Sequence, residues 1–450
     1  MLEKREFYID GKWVAPAVPN DLAVVNPSTE ERCAVISLGG QADTDAAVQA
    51  AHAAFDGWSQ SSKAERIALM QRLLEIYNGR AEEMAQAMSM EMGAPIDMAR
   101  AQQVGAGSWH LEAFLKAFED FSFESDFTAT EKTLLEPIGV CALITPWNWP
   151  MNQIMLKVIP ALATGCTMVL KPSEISPLSG LLFAECMDQA GVPAGVFNLV
   201  NGDGPGVGSQ LSAHPQVDMV SFTGSTRAGI AISKAAADTL KRVSLELGGK
   251  GANIIFADAH PKAVKAGALH CFGNSGQSCN APTRMLVHKS LYDEAVAMAA
   301  EVAVNMHVRP ASETGRHIGP VVSETQFDKI QKLIEVGIGE ARMVAGGLGR
   351  PDGMNRGYFV KPTVFADVTN EMTIAREEVF GPVLSIIPFE TEEEAIAIAN
   401  DTPYGLTNYV QTEDETLRRR VARRLRSGMV ETNGQGFAPG SPFGGYKQSG

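Results

Sequence analysis

The chain has 450 residues, of which 45% are hydrophobic and 20% charged. That length suggests about three structural units, and the composition excludes a disordered chain, a collagen-like fibre and a small disulfide scaffold. Lys and Arg total 38 against 52 Asp and Glu, a formal net charge of −14. Such an acidic balance argues against general nucleic-acid binding while leaving room for a local phosphate pocket.

In chain order, Phe7 to Trp13 reads as a hairpin around an Asp10-Gly11 turn. A helix is expected over Asp43–Gly57, stopped by Trp58, and a longer one from Lys63 to about Met92. Gly93-Ala94-Pro95 breaks the pattern, and a further helix is expected over Ile96–Phe118. The stretch from Phe121 to Glu136 reads as a hairpin arm leaving the body. From Gly139 onward, short apolar runs alternate with helical ones. Strands are expected at Val140–Ile144, Thr167–Leu170, Phe197–Val200 and Val217–Phe222, with helices at Ile154–Ala163, Leu178–Ala190 and Thr226–Leu240. Such alternation implies a parallel sheet with helical crossovers. It restarts after Leu247-Gly248-Gly249, with strands at Asn253–Phe256, Met285–Val287 and Val383–Pro388. The expected fold class is α/β: two open parallel-sheet α/β domains with a small β arm.

Six cysteines are present, at 33, 141, 166, 186, 271 and 279, and none forms a C-x-x-C pair. No zinc, iron–sulfur or redox-disulfide spacing is present, so no metal is expected, and sparse thiols suit a reducing compartment such as the cytoplasm. The first residues are charged and lack a signal-peptide core, and no run of about 18 apolar residues predicts a membrane span.

Several loops carry chemical potential. Gly202 to Gly208 is glycine-rich and follows a strand, but Val207 stands where a dinucleotide fingerprint needs its third glycine. Phe222-Thr223-Gly224-Ser225-Thr226 opens a helix, where free N–H groups and the dipole favour phosphate; a plain capped turn is the equal alternative. Lys171-Pro172-Ser173-Glu174 lies at a strand end, where a Lys and a Glu three apart reach ribose hydroxyls or pair with each other on the surface. Cys33, Cys141, Cys166 and Cys186 lie in apolar runs and read as small buried hydrophobes, and Cys271 as structural. Cys279 sits instead among glycine and amide residues, a setting that favours an accessible, reactive thiolate. Glu246 interrupts an apolar strand end. It reads as a general base with a raised pKa or as the ion-pair partner of Lys250. Asn148, in Thr145-Pro146-Trp147-Asn148-Trp149-Pro150, offers a rigid neutral donor for an oxyanion or a local cap.

Taken together, these segments resemble the aldehyde dehydrogenase superfamily. The resemblance rests on an ordered set: Pro146 to Pro150, Lys171 to Glu174, Phe222 to Thr226, Glu246 to Lys250, Gly276 to Cys279, Glu377 to Pro382, and Ser441 to Lys447. It implies a Rossmann-like NAD(P)-binding domain over 1–120 and 140–247, a catalytic domain over 248–430, and an oligomerisation arm from 121–139 and 431–450. Cys279 would be the nucleophile, Asn148 and the Cys279 N–H the oxyanion donors, Glu246 the base that hydrolyses the thioester, and Lys157 a supporting residue. The cofactor would meet Thr145, Trp147, Lys171, Ser173, Glu174, Gly204, Phe222, Thr223, Gly224, Ser225, Glu246, Leu247, Gly248, Glu378 and Phe380. NAD is expected, with NADP possible, because Glu174 would crowd a 2′-phosphate. Trp149, Phe437 and Phe443 would line an apolar channel suited to neutral aliphatic or aromatic aldehydes. The family continues beyond the glycine matching Gly450 into a segment that completes a subunit contact, so the sequence is either truncated there or without that tail; a homodimer or homotetramer is expected. Gly251 departs from the small polar residue or proline common there.

Three alternatives accompany this reading. A CoA-acylating member would pass the acyl group to CoA, which the presence of Glu246 disfavours. A thiol hydrolase would use His270 or His317 as base and turn over without nicotinamide. A non-catalytic relative would have lost the thiol or the carboxylate, and both are present.

Overall fold

The computed structural model describes residues 1–438 and 440–450. Pro439, within the segment 431–450 assigned to the arm, lies outside the described residues. The chain forms two compact units. The first comprises Met1–Asn26, Glu31–Glu91 and Met98–Leu245, and the second Pro27–Glu30, Met92–Asp97 and Glu246–Gly450. Thus Pro27–Glu30, Met92–Asp97, Glu246 and Leu247, which the sequence reading assigned to the first domain, cluster with the second.

In the first unit a seven-stranded sheet runs in the order Arg242–Glu246, Met219–Thr223, Val140–Ile144, Thr167–Lys171, Phe197–Leu199, Phe7–Ile9 and Lys12–Val14. The strands from Met219–Thr223 to Phe197–Leu199 are parallel, with Val140 opposite Thr167 and Phe197 opposite Met168. Val140–Ile144 and Thr167–Lys171 are buried along their whole length, as strands covered on both faces must be. The Phe7–Val14 hairpin adds antiparallel at the edge. Its turn residues Asp10 and Gly11 both take positive φ, 53° and 71°, as a tight primed turn demands. Because the central strands are parallel, the loops from Thr145, Pro172 and Gly224 all leave from one sheet edge, where such folds bind ligands.

The expected elements needed adjustment in five places. Trp58 does not stop its helix, which runs Gln41–Ser59; the indole is buried and Arg66 lies over it. The long helix from Lys63 divides at Arg80 into Lys63–Gly79 and Ala81–Met92, and the Arg80 guanidinium bonds Glu83 and Glu185. The Ile96–Phe118 helix contains a π-turn at Ala99–Val104, where the Tyr77 hydroxyl donates to the Val104 carbonyl at 3.0 Å. The next helix begins at Pro150, with proline at the first helical position, not at Ile154. Thr226–Ala237 ends before Leu240, which is left-handed and exposed. A small sheet of Leu2–Lys4, Glu31–Ser37 and Asp21–Asn26 escaped the sequence reading. The arm is a hairpin, Glu124–Asp126 paired antiparallel with Lys132–Leu134, exposed throughout.

The second unit is built on a seven-stranded sheet in the order Arg342–Ala345, Thr363–Ala366, Val383–Phe389, Arg284–His288, Ala252–Ile255, Thr407–Gln411 and Met429–Thr432. All neighbours are parallel except the first pair. Alternate side chains enter different cores. Ile255, Met285 and Ile386 pack with helices Ala263–Phe272 and Tyr292–Asn305. Ala252, Ile254 and Val410 pack on the other face with Glu324–Glu340 and Glu392–Asn400. Arg284 is buried between these layers, donating to the carbonyls of Lys250, Ile398 and Ala399 and to the Asn370 amide oxygen at 2.8–3.0 Å. Among the described residues no helix is long and apolar enough to cross a membrane.

Candidate active site

In the first unit the predicted cofactor residues gather at the carboxyl edge of the parallel sheet. Thr145 directly follows its strand, and its N–H donates to the Lys171 carbonyl at 3.1 Å. Lys171 is buried, and burial pulls its ammonium below the ordinary lysine value although Glu174 opposes the shift. Its three protons are committed to the Gly202 carbonyl at 2.6 Å, the Pro172 carbonyl at 2.9 Å and Glu174 at 3.5 Å. The ammonium therefore holds the Gly202 loop and aims Glu174, whose side chain stays 28% exposed. Ser173 is buried, and its Oγ accepts from the Ile175 N–H. Gly204 opens a turn capped by Asp203, and a Cβ there would meet nothing within 4 Å. Phe222 and Thr223 are buried, and the Phe222 ring leaves no room for a side chain on Gly224. Ser225 caps the helix Thr226–Ala237 by accepting from the Ala228 N–H at 3.3 Å.

Trp147 is half-buried and Asn148 buried; the Asn148 carbonyl accepts from Gln103 at 3.1 Å, which fixes the loop before the helix. Lys157 lies in that helix, Pro150–Ala163, and donates to Ser221 Oγ at 3.0 Å.

In the second unit the chain around Cys279 is held in a strained, well-anchored turn. Asn274, Ser275 and Gly276 are successive left-handed residues, with φ of 50°, 57° and 73°. Such a run is costly for Asn and Ser, and persists because the surroundings fix it. Ser275 Oγ donates to the Gly319 carbonyl at 2.8 Å, and Gln277 Oε1 accepts from the Val322 N–H at 2.9 Å. A Cβ on Gly276 would lie 2.1 Å from the Gly381 carbonyl, so only glycine fits. The turn closes with the Ala281 N–H on the Ser278 carbonyl at 3.1 Å.

Cys279 is half-buried, and its thiol is pushed up to about 12 by burial and by the Glu378 and Glu246 carboxylates. Desolvation and the two anions oppose the thiolate more than the donors of the loop favour it. Glu246 is half-buried at the end of the strand Arg242–Glu246. Glu378 Oε1 accepts from the Gly249 N–H at 2.8 Å, and burial holds its carboxyl above the usual range. The next residues are pinned by Ser449. The Leu247 N–H donates to its carbonyl at 2.8 Å, and its hydroxyl donates to the Gly248 carbonyl at 2.7 Å. Phe380 takes a left-handed backbone, and its carbonyl accepts from Gln326 at 2.8 Å. Lys250 is buried without a hydrogen-bond partner, and burial pulls its ammonium down to about 8. The alternative ion pair with Glu246 is thus not formed. Phe437 and Phe443 contact edge to face, 5.8 Å apart. His317 turns its ring nitrogens to the carbonyls of Gly315 and Pro310, and the His270 ring packs against Tyr409.

Sequence reasoning missed Tyr409, whose hydroxyl reaches the carbonyl of Asn280, next to Cys279. It lies in the strand Thr407–Gln411, whose sequence Thr-Asn-Tyr-Val-Gln carries no motif, so no local signal marked it.

The chain thus carries a half-buried cysteine in a strained turn beside two carboxylates on an α/β fold. Comparison with known proteins gives the particular family. The profile of the aldehyde dehydrogenase family matches residues 13–450. An aldehyde dehydrogenase from Bartonella henselae is 59% identical, with a TM-score of 0.99, covering 100% of this chain and 95% of that one. Aldehyde dehydrogenase C of Pseudomonas syringae was solved as a cysteine-to-alanine mutant complexed with NAD+ and octanal. It is 50% identical, with a TM-score of 0.97, covering 99% of this chain and 92% of that one. A Pseudomonas 3-succinoylsemialdehyde-pyridine dehydrogenase is 52% identical over 100% of this chain and 95% of its own length. The chain belongs to the aldehyde dehydrogenase family and is an aldehyde-oxidising enzyme.

Proposed function

We propose that the enzyme oxidises a neutral aliphatic or aromatic aldehyde to its carboxylic acid through a covalent adduct on Cys279. The observation that carries this reading is the anchored turn that presents Cys279 beside Glu246. The Cys279 sulfur adds to the aldehyde carbon, the thiol proton passes to solvent water, and the carbon–oxygen double bond becomes an alkoxide. Asn148 and the Cys279 N–H donate to that oxyanion. NAD, when bound, accepts the hydride that turns the adduct into a thioester. Glu246 then takes a proton from water, which attacks the thioester carbon, expels the Cys279 thiolate and releases the acid. Lys157, bonded to Ser221, supports the helix that follows Asn148.

The residues of the first unit suit a dinucleotide. Glu174, steered by Lys171, offers a carboxylate to a ribose diol, and its negative charge opposes a 2′-phosphate. The helix start at Ser225 and the open turn at Gly204 offer N–H groups to a pyrophosphate. In the second unit Glu378, Phe380 and the Leu247–Gly248 backbone are assigned to the nicotinamide half. The octanal complex of the Pseudomonas syringae relative and the aromatic semialdehyde in the name of the other Pseudomonas relative support the substrate class. All six cysteines are free thiols, which suits the cytoplasm. The exposed hairpin at Glu124–Leu134 is assigned to a homodimer or homotetramer contact.

The reading is tested by NAD reduction in a spectrophotometer with an aldehyde panel and no CoA. Wild type should reduce NAD in an aldehyde-dependent way, and Cys279→Ala should not. Turnover that needs CoA would instead support the acylating alternative.

A further inference from the structure

Tyr409 occupies the middle of the strand Thr407–Gln411, in register with Asn253 on one side and Glu431 on the other. The residue is 4% exposed, and its ring meets His270 edge to face at 5.3 Å. Its hydroxyl donates to the backbone carbonyl of Asn280 at 2.5 Å. A phenylalanine would fill the same space in the sheet. What the hydroxyl adds is a bond to the residue that follows Cys279.

The turn is already held upstream by Ser275 and Gln277. Downstream, the Cys279 carbonyl faces Gly249 so closely that no side chain fits between them. The Asn280 carbonyl is the next group along, and Tyr409 fixes it. Burial and the neighbouring Glu431 carboxylate keep the proton on the phenol, so Tyr409 remains a donor at working pH. Glu431 itself is held up to about 7 by burial, and its Oε1 has no hydrogen-bond partner. The Tyr409 hydroxyl donates to the Asn280 carbonyl and leaves this Glu431 oxygen unbonded.

We infer that Tyr409 is a positioning residue for Cys279: its hydroxyl fixes the Asn280 carbonyl and thereby the direction in which the Cys279 thiol and N–H face the aldehyde. The inference rests on the proposed role of Cys279 as nucleophile. Losing one buried hydrogen bond and shifting the turn by a fraction of an ångström should cost about tenfold in rate.

The test is Tyr409→Phe, measured beside Cys279→Ala. The readouts are kcat and KM from NAD reduction, the NAD Kd from protein fluorescence, the iodoacetamide alkylation rate of Cys279, and Tm. Expected for Tyr409→Phe is a roughly tenfold fall in kcat and a parallel fall in alkylation rate, with KM and NAD Kd within about twofold of wild type. An unchanged kcat would overturn the inference. So would a joint fall in kcat and Tm with a rise in KM and NAD Kd, which signals a merely structural role. Cys279→Ala separates the levels. If it retains turnover, the nucleophile assignment fails. If it is inactive while Tyr409→Phe is normal, only the positioning role fails.

Discussion

Gly249→Ala should nearly abolish turnover while leaving the enzyme folded. Gly249 has no positive φ, so alanine is not excluded by its backbone. The obstacle is the Cys279 carbonyl oxygen, which would lie 2.3 Å from the new Cβ, with Leu406 Cβ at 3.4 Å. An ordinary carbon–oxygen approach is about 3.3 Å, so the Cys279 peptide must retreat by about 1 Å. Overpacking of this kind costs about 1–3 kcal/mol of stability, which a chain of this size tolerates. A 1 Å misplacement of a reacting group can cost about a hundredfold in rate. The N–H of Gly249 also donates to Glu378, so the shift disturbs that carboxylate too. The assay is NAD reduction at saturating aldehyde, with Tm measured on the same preparation. Gly339→Ala is the control, since it lies in the helix Glu324–Glu340 where a Cβ meets nothing within 4 Å. A Gly249→Ala enzyme with kcat within threefold of wild type would refute this steric account.

Five further outcomes follow from the structure. Because burial and two carboxylates push the Cys279 thiol up to about 12, its alkylation in the absence of NAD should rise about tenfold per pH unit up to pH 10. Glu246→Gln removes one of those anions, lowers the thiol pKa and should speed alkylation at pH 8; slower alkylation would mean that Glu246 deprotonates the thiol. Glu91 is buried against the helix start at Leu178 and Ser179 and is held up to about 7 against an ordinary 4.5. A raised carboxyl pKa favours folding below the unfolded value and loses that contribution as pH climbs through 7. Wild type should therefore lose about 3 kcal/mol relative to Glu91→Gln between pH 4.5 and 8, visible as a difference in the slope of Tm against pH, and parallel slopes would contradict this. Arg284→Met strands the Lys250, Ile398 and Ala399 carbonyls and should cost about 3–5 kcal/mol, read as a drop in urea midpoint. Glu174→Gln removes the charge that opposes a 2′-phosphate and should raise the NADP to NAD ratio of kcat/KM at least about tenfold; an unchanged ratio would detach Glu174 from cofactor choice.

The parallel strands were legible because burial on both faces writes continuous apolar runs, as at Val140–Ile144 and Thr167–Lys171. Helix ends were less legible, since tertiary partners set them. Tyr77 bonds the end of the π-turn at Ala99–Val104, and Arg80 stands at the break of a helix that composition alone would continue. The small sheet around Glu31–Ser37 went unread because its strands owe their pairing to Leu2–Lys4 and Asp21–Asn26, not to a strong pattern of their own. At the candidate site the motif residues were visible as out-of-place polar groups: Glu246 in an apolar strand, and Cys279 among glycine and amides. Their electrostatics were not. The thiol's raised pKa comes first from burial and then from Glu378, about a hundred residues away in sequence, and Tyr409 enters through a strand that carries no motif.

The central claim is a covalent acyl group on Cys279 that Glu246 helps to hydrolyse. The most direct measurement is intact-protein and peptide mass spectrometry of Glu246→Gln after mixing with NAD and octanal. The account predicts an octanoyl group accumulating on the peptide that contains Cys279, with one NADH formed per site and little turnover beyond it. Full turnover by Glu246→Gln with no acylated Cys279 would contradict it.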